Sequence, residues 1–145
     1  MRILLVDDRA DSATVIVNWL HEFFGPASVE WAPSGEEALA AIGRRGPDLV
    51  LAAHRPASID AIHLVGVVKK QPGAPAVVVI VMNSAVELET QCAEAGADFC
   101  VEKRHLQARL LAFLQARFPQ VWADGVMSRQ KSAWLGPARS EARLT

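Results

Sequence analysis

At 145 residues, 51% hydrophobic and 21% charged, the chain has the composition of one globular domain and not of a disordered segment. A domain of this length buries roughly two-thirds of the surface its unfolded chain exposes, enough for one core. Its formal net charge of -1 leaves no electrostatic footprint for nucleic acid or for an anionic membrane surface. Cys92 and Cys100 form no Cys-x-x-Cys pair, and the four histidines are scattered, so neither a disulfide scaffold nor a zinc site is expected. Reduced thiols and a cytoplasmic location are the expectation. The apolar run at 3–6 is too short for a signal-peptide core and meets acids at once. No stretch approaches the ~20 apolar residues of a membrane span.

Taken in order, Ile3-Leu4-Leu5-Val6 predicts a buried strand. Val15, Trp19, Leu20 and Phe23 recur at helical spacing over 10–24, with Asp11 or Ser12 placed to cap the start and Gly25-Pro26 to end it. A short strand follows at 29–32. Ser34 before Gly35-Glu36-Glu37 is a helix start with acids in the first turn, and this helix is expected to reach Ile42 and stop near Gly43. Pro47-Asp48 opens a third strand at 49–53. A loop around Pro56 leads to a helix over 60–70, broken by Gln71-Pro72-Gly73. The run 76–82 is the most apolar and β-branched, as in a strand covered on both faces. A helix over 85–95 closed by Gly96, a strand at 99–101 and a helix over 106–118 ended by Pro119 complete the pattern.

Five strand–helix repeats imply an α/β fold, a doubly wound parallel sheet with helices on both faces and right-handed crossovers. Residues 1–118 form this domain, and 119–145 read as a C-terminal extension or linker. The extension is mildly basic, and its Trp122 and Trp134 are expected to dock part of it on something.

In such sheets ligands bind beyond the carboxyl ends of the strands, where the strand order reverses. The first strand ends directly in Asp7-Asp8. Two carboxylates there repel each other unless a cation answers them, and magnesium suits oxygen ligands of this kind. A solvated acidic loop is the alternative for the pair taken alone.

The opening RILLVDD, then PSGEEALAAI, GPDLVL and EAGADFCVEK fall in an order and spacing that resemble the response regulator receiver family over residues 1–118. That resemblance implies a flavodoxin-like five-stranded sheet in the order 2-1-3-4-5, and a signalling module rather than an enzyme. It also implies an acidic pair for magnesium, an aspartate that accepts phosphate, a hydroxyl and a lysine that hold the phosphoryl group, and an aromatic on the fifth strand. Asp7 and Asp8 match the pair and Lys103 the lysine. The acceptor position falls on Ala53, counted from either Pro47 or Asp60, and Pro56 sits one place early. The hydroxyl position falls on Val81, or on Met82 with a shift of one, with Ser84 past the strand end. The aromatic position is Cys100, with Phe99 on the opposite face.

Acceptor, hydroxyl and aromatic are thus all absent, and the resemblance points to a pseudo-receiver that acts without phosphorylation. No cofactor is expected. Magnesium binding is expected to be weak or absent, with Asp8 as its ligand. The expected partner is a protein met through the fourth helix, fifth strand and fifth helix, with the extension adding to that face and a second copy of the chain among the candidates. Direct nucleic-acid or membrane contact is not expected.

Lys103 beside Asp7 and Asp8 reads either as a catalytic trio or, preferably, as a buried ion pair. His54 reads as a base or pH sensor, or more plainly as an exposed loop histidine. Arg9, Arg55 and Arg104 are placed to ring the same crevice, where they could attract an anion. No Gly-rich phosphate loop follows the first strand, and Ser12, Ser34 and Ser84 lack a nucleophile-elbow context. Two rival readings stand beside the main one: a working phosphorelay receiver that uses Asp8 or Asp60, and a small flavodoxin-like ligand binder or enzyme.

Overall fold

Side chains alternate across a strand, so a strand buried on both faces must be apolar at every position. This is what the three central strands show. In the computed structural model, which describes residues 1–24, 28–83 and 85–119, every residue of β1 (Ile3–Val6), β3 (Leu49–Ala53) and β4 (Ala76–Val81) is buried. The edge strands β2 (Val29–Ala32) and β5 (Phe99–Glu102) flank them. All pairings are parallel, in the order β2-β1-β3-β4-β5. The expected order is therefore found.

The helices are α1 (Ala10–Phe24), α2 (Gly35–Arg45), α3 (Ala61–Lys69), α4 (Val86–Ala95) and α5 (Leu106–Arg117). A single 3-10 turn (Lys103–His105) precedes α5. The alternation divides the core in two. Ile3, Leu5, Leu49, Leu51, Val78 and Ile80 face α1 and α5. Leu4, Val6, Val50, Ala52, Val77 and Val79 face α2, α3 and α4. No helix among the described residues is long and apolar enough to cross a membrane.

Several expected boundaries move. α2 does not stop near Gly43 but runs through it to Arg45 and closes on Gly46, whose φ of 61° lies in the left-handed region and whose N–H bonds the Ile42 carbonyl. A helix interior tolerates glycine at about 1 kcal/mol, whereas a left-handed cap favours it. Asp60 lies just outside α3 and caps it, its carboxylate accepting from the His63 N–H. α1 begins at Ala10, so Asp11 and Ser12 lie inside its first turn and are not its cap. β4 ends one residue early, leaving Met82 exposed, and β5 gains Glu102, which pairs with Val81. Gly25-Pro26, Ser84 and the extension with Trp122 and Trp134 lie outside the described residues.

Leu51, fully buried at the centre of β3, is a test of this division of the core. Leu51→Ala should lower stability by about 2–5 kcal/mol in urea unfolding, the loss of buried methyl groups plus the cavity they leave. Val15→Ala, on the exposed face of α1, should stay within about 0.5 kcal/mol.

Candidate functional site

β1 ends at Val6 in the middle of the sheet, and the next two residues must leave its carboxyl edge between β2 and β3. Asp7 is held there by its backbone: its N–H bonds the Ala32 carbonyl at 3.1 Å, and the Trp31 indole N–H donates to its carbonyl at 2.7 Å. Its side chain is 0% exposed. A buried carboxylate without a partner costs several kcal/mol, so its contacts decide whether the domain tolerates it.

Those contacts come chiefly from Arg55. Its Nη2 lies 3.2 Å from Asp7 Oδ1 and 3.3 Å from Oδ2, and its Nε is 3.4 Å from Oδ1. The same Nε is 3.4 Å from Asp8 Oδ1. One guanidinium, itself 13% exposed, therefore answers both carboxylates. The Arg9 backbone N–H adds a bond to Asp7 Oδ1 at 3.0 Å, and the Ser58 hydroxyl donates to Asp8. Arg55 is fixed by a tight turn. It forms an antiparallel bridge with Ile59, and its carbonyl accepts from Ser58 N–H at 2.8 Å and Ile59 N–H at 2.7 Å. The turn sends the Arg55 side chain inward and sets Ser58 over Asp8.

Lys103 does not pair with Asp7 or Asp8, contrary to the buried ion pair expected of it. Its Nζ donates to Ser12 Oγ at 2.5 Å, and Arg55 Nη2 approaches the same hydroxyl at 3.4 Å. The planar fork of Arg55 has taken the carboxylates, and the single ammonium settles on the hydroxyl beside them. Ser12 is thus a site residue, buried between two cations. Its signal lay in the sequence: it shares the helical stripe of Ile16, Trp19 and Phe23, a polar residue on an apolar face.

The arginine ring does not form. Arg9 pairs with Asp11 at 3.7 Å and Arg104 with Glu102 at 3.4 Å, all on exposed or outward positions except Glu102. The Ser12 backbone N–H, and then Arg9, hold the Asp11 carboxyl below its usual range. His54 is half-buried and not an exposed loop residue. Its Nδ1 accepts from the Ala61 N–H at 3.3 Å and its own N–H bonds the Ile80 carbonyl at 2.8 Å, tying β3 to the start of α3.

Ala53 ends β3, buried and paired with Ile80. Val81 is buried in the half of the core facing α2, α3 and α4. Cys100 sits on that same face, while Phe99 lies on the other and stacks on Phe113 with ring centroids 5.4 Å apart.

The model of the response regulator receiver domain family matches residues 3–115. The chain belongs to that family. Among solved structures it is similar to the BeF3-activated N-terminal receiver domain of RstA from Klebsiella pneumoniae, at 26% identity and TM-score 0.69 over 80% of this chain and 97% of that one. It is also similar to the receiver domain of NtrX from Brucella abortus, at 26% identity and TM-score 0.68 over 87% and 98%. HP1043, an orphan response regulator of H. pylori, gives 25% identity and TM-score 0.64 over 81% and 95%. No curated protein sequence matches the chain.

The residues of this receiver do not fit the magnesium that the family implies. Magnesium demands several oxygen ligands in near-octahedral array. Ala53 supplies no oxygen, the Arg55 carbonyl already accepts two N–H groups, and the Arg55 guanidinium lies against both carboxylates. Among the described residues no group of three His, Cys, Asp or Glu side chains is placed to hold a metal.

Removing the guanidinium should expose what it compensates. Arg55→Met leaves Asp7 buried without its cation and should cost about 3–5 kcal/mol in urea unfolding. Adding Asp7→Asn to that variant should recover part of the loss, a coupling that a double-mutant cycle reads directly.

Proposed function

We propose that this receiver is a signalling module that works by protein contact and not by phosphorylation. The observation that carries the reading is the Arg55 guanidinium seated on Asp7 and Asp8. In a receiver that accepts phosphate, an exchangeable cation answers the acidic pair and bridges it to the incoming group. Here a guanidinium of the chain itself lies against both carboxylates. An acidic pair answered by a tethered cation lacks the ion exchange on which such a switch turns.

The degenerate positions point the same way. Ala53, at the acceptor position, has no oxygen to attack phosphorus. Val81 offers a phosphoryl oxygen no hydrogen bond. Cys100 offers no ring to reorient. Asp8 and Asp60, the other acids at this edge, are engaged, Asp8 with Arg55 and Ser58 and Asp60 with the His63 N–H. The partner surface of this reading is α4, β5 and α5, joined by the extension from 119, and the near-zero net charge favours a protein partner over nucleic acid.

Intact mass after incubation with acetyl phosphate and magnesium tests the proposal. The wild type should gain no phosphoryl mass of about 80 Da. A stable gain, mapped to Asp8 or Asp60, would establish the rival reading of a receiver with another acceptor.

Magnesium provides a second test. Millimolar magnesium should move the wild-type melting temperature by less than about 1 °C, since a ligand stabilises only what it binds. Arg55→Ala frees the acidic pair and should acquire a magnesium-dependent rise. A wild type that responds as strongly as the variant would show that Arg55 does not stand in for the metal.

A further inference from the structure

The two cysteines meet where α4 returns to the sheet. Cys92 lies in the last turn of α4, and Gly96, at φ 106°, reverses the chain behind it. The Cys92 carbonyl accepts the Ala97 N–H at 3.0 Å, which pins the turn. Cys100 follows on β5, paired with Val79. Val79 faces α2, α3 and α4, so Cys100 does too, and both cysteines belong to the same half of the core. Each thiol is near enough to the other to be among the groups that perturb it. Both line one cleft of about 340 Å³, together with Glu89, Phe99 and Arg109.

We infer that Cys92 and Cys100 form a thiol pair that closes to a disulfide between α4 and β5 when a small-molecule disulfide is the oxidant. Cys92 is 1% exposed and Cys100 only partly buried, so the oxidant meets Cys100 first. The Cys100 thiolate attacks one sulfur of the small disulfide and expels one thiol. The Cys92 thiolate then attacks Sγ of Cys100 and expels the second. Two protein thiols are oxidised, one small disulfide is reduced to two thiols, and the protons lost by the cysteines pass through solvent to the leaving groups. Burial, and then the neighbouring thiol, push the Cys100 thiol up to about 12, and burial raises Cys92 as well. Few thiolates are present near neutral pH, so the exchange is slow and needs an excess of oxidant. The bond would tie α4 to β5, two of the three elements in the proposed contact surface. That consequence rests on the function proposed above; the chemistry does not.

The test uses the full chain under native conditions with oxidised glutathione in excess. No Lys or Arg lies between 71 and 102, so one tryptic peptide, 71–103, carries both cysteines. That peptide should lose about 2 Da and resist alkylation, with the protein still a monomer on a non-reducing gel. Cys92→Ala should stop at a glutathione adduct on Cys100. A wild type that keeps two alkylatable thiols, stops at a stable glutathione adduct, or forms a disulfide-linked dimer overturns the inference, and the wild-type peptide decides even if the variant fails to fold. None of these outcomes bears on phosphoryl transfer, so failure here is distinct from failure of the proposed function.

Discussion

A carboxylate with no exposed surface cannot stand alone in a protein core, and Asp7 is such a carboxylate at the centre of this domain's working edge. Its position follows from the sheet: β1 lies between β2 and β3, and the chain that leaves it has nowhere to go but the carboxyl edge. The pairing with Arg55 makes this position tolerable. The turn that bridges Arg55 to Ile59, the placement of Ser58 on Asp8, and the diversion of Lys103 to Ser12 are arranged around that ion pair. A buried pair of this kind adds less net stability than its geometry suggests, because both ions lose their hydration, but breaking it is expensive. It specifies one arrangement more than it strengthens it.

The same constraint shapes what the site can do chemically. Receiver chemistry needs a cation that comes and goes and an oxygen nucleophile beside it. At this edge the cation against the acidic pair is covalently part of the chain, and β3 ends in Ala53, which carries no side-chain oxygen. The remaining polar groups, Ser12, Lys103 and Ser58, form a connected set of hydrogen bonds rather than an open binding site. The receiver scaffold is intact, with a hydrophobic core on each face of the sheet.

The α4–β5 side of the molecule differs in kind. There the fold brings two thiols together through a glycine-closed helix end and a strand register, on the face that the family resemblance associates with output. A bond between them would act on α4 directly, without the pocket 53–55.

The sequence by itself determined the class of fold, the strand order through the family resemblance, and which residues reach the carboxyl edge. Strict burial of β1, β3 and β4 leaves its mark as unbroken apolar runs, and that mark is local, readable without tertiary knowledge. Ala53 as the last residue of β3 was readable because strand 49–53 is marked by its apolar run. The partner of Asp7 was not. Which of Arg9, Arg55, Arg104 and Lys103 reaches Asp7 depends on a turn between residues 55 and 59 and on side-chain direction, neither of which has a periodic signature. The end of α2 at Gly46 rather than Gly43 was lost for a related reason: both are glycines, and only the tertiary path requires a left-handed residue at one of them. Tertiary structure likewise decided that Ser12 faces inward and that Cys92 meets Cys100, since contacts between elements are set by packing and register, which a chain read one residue at a time does not display.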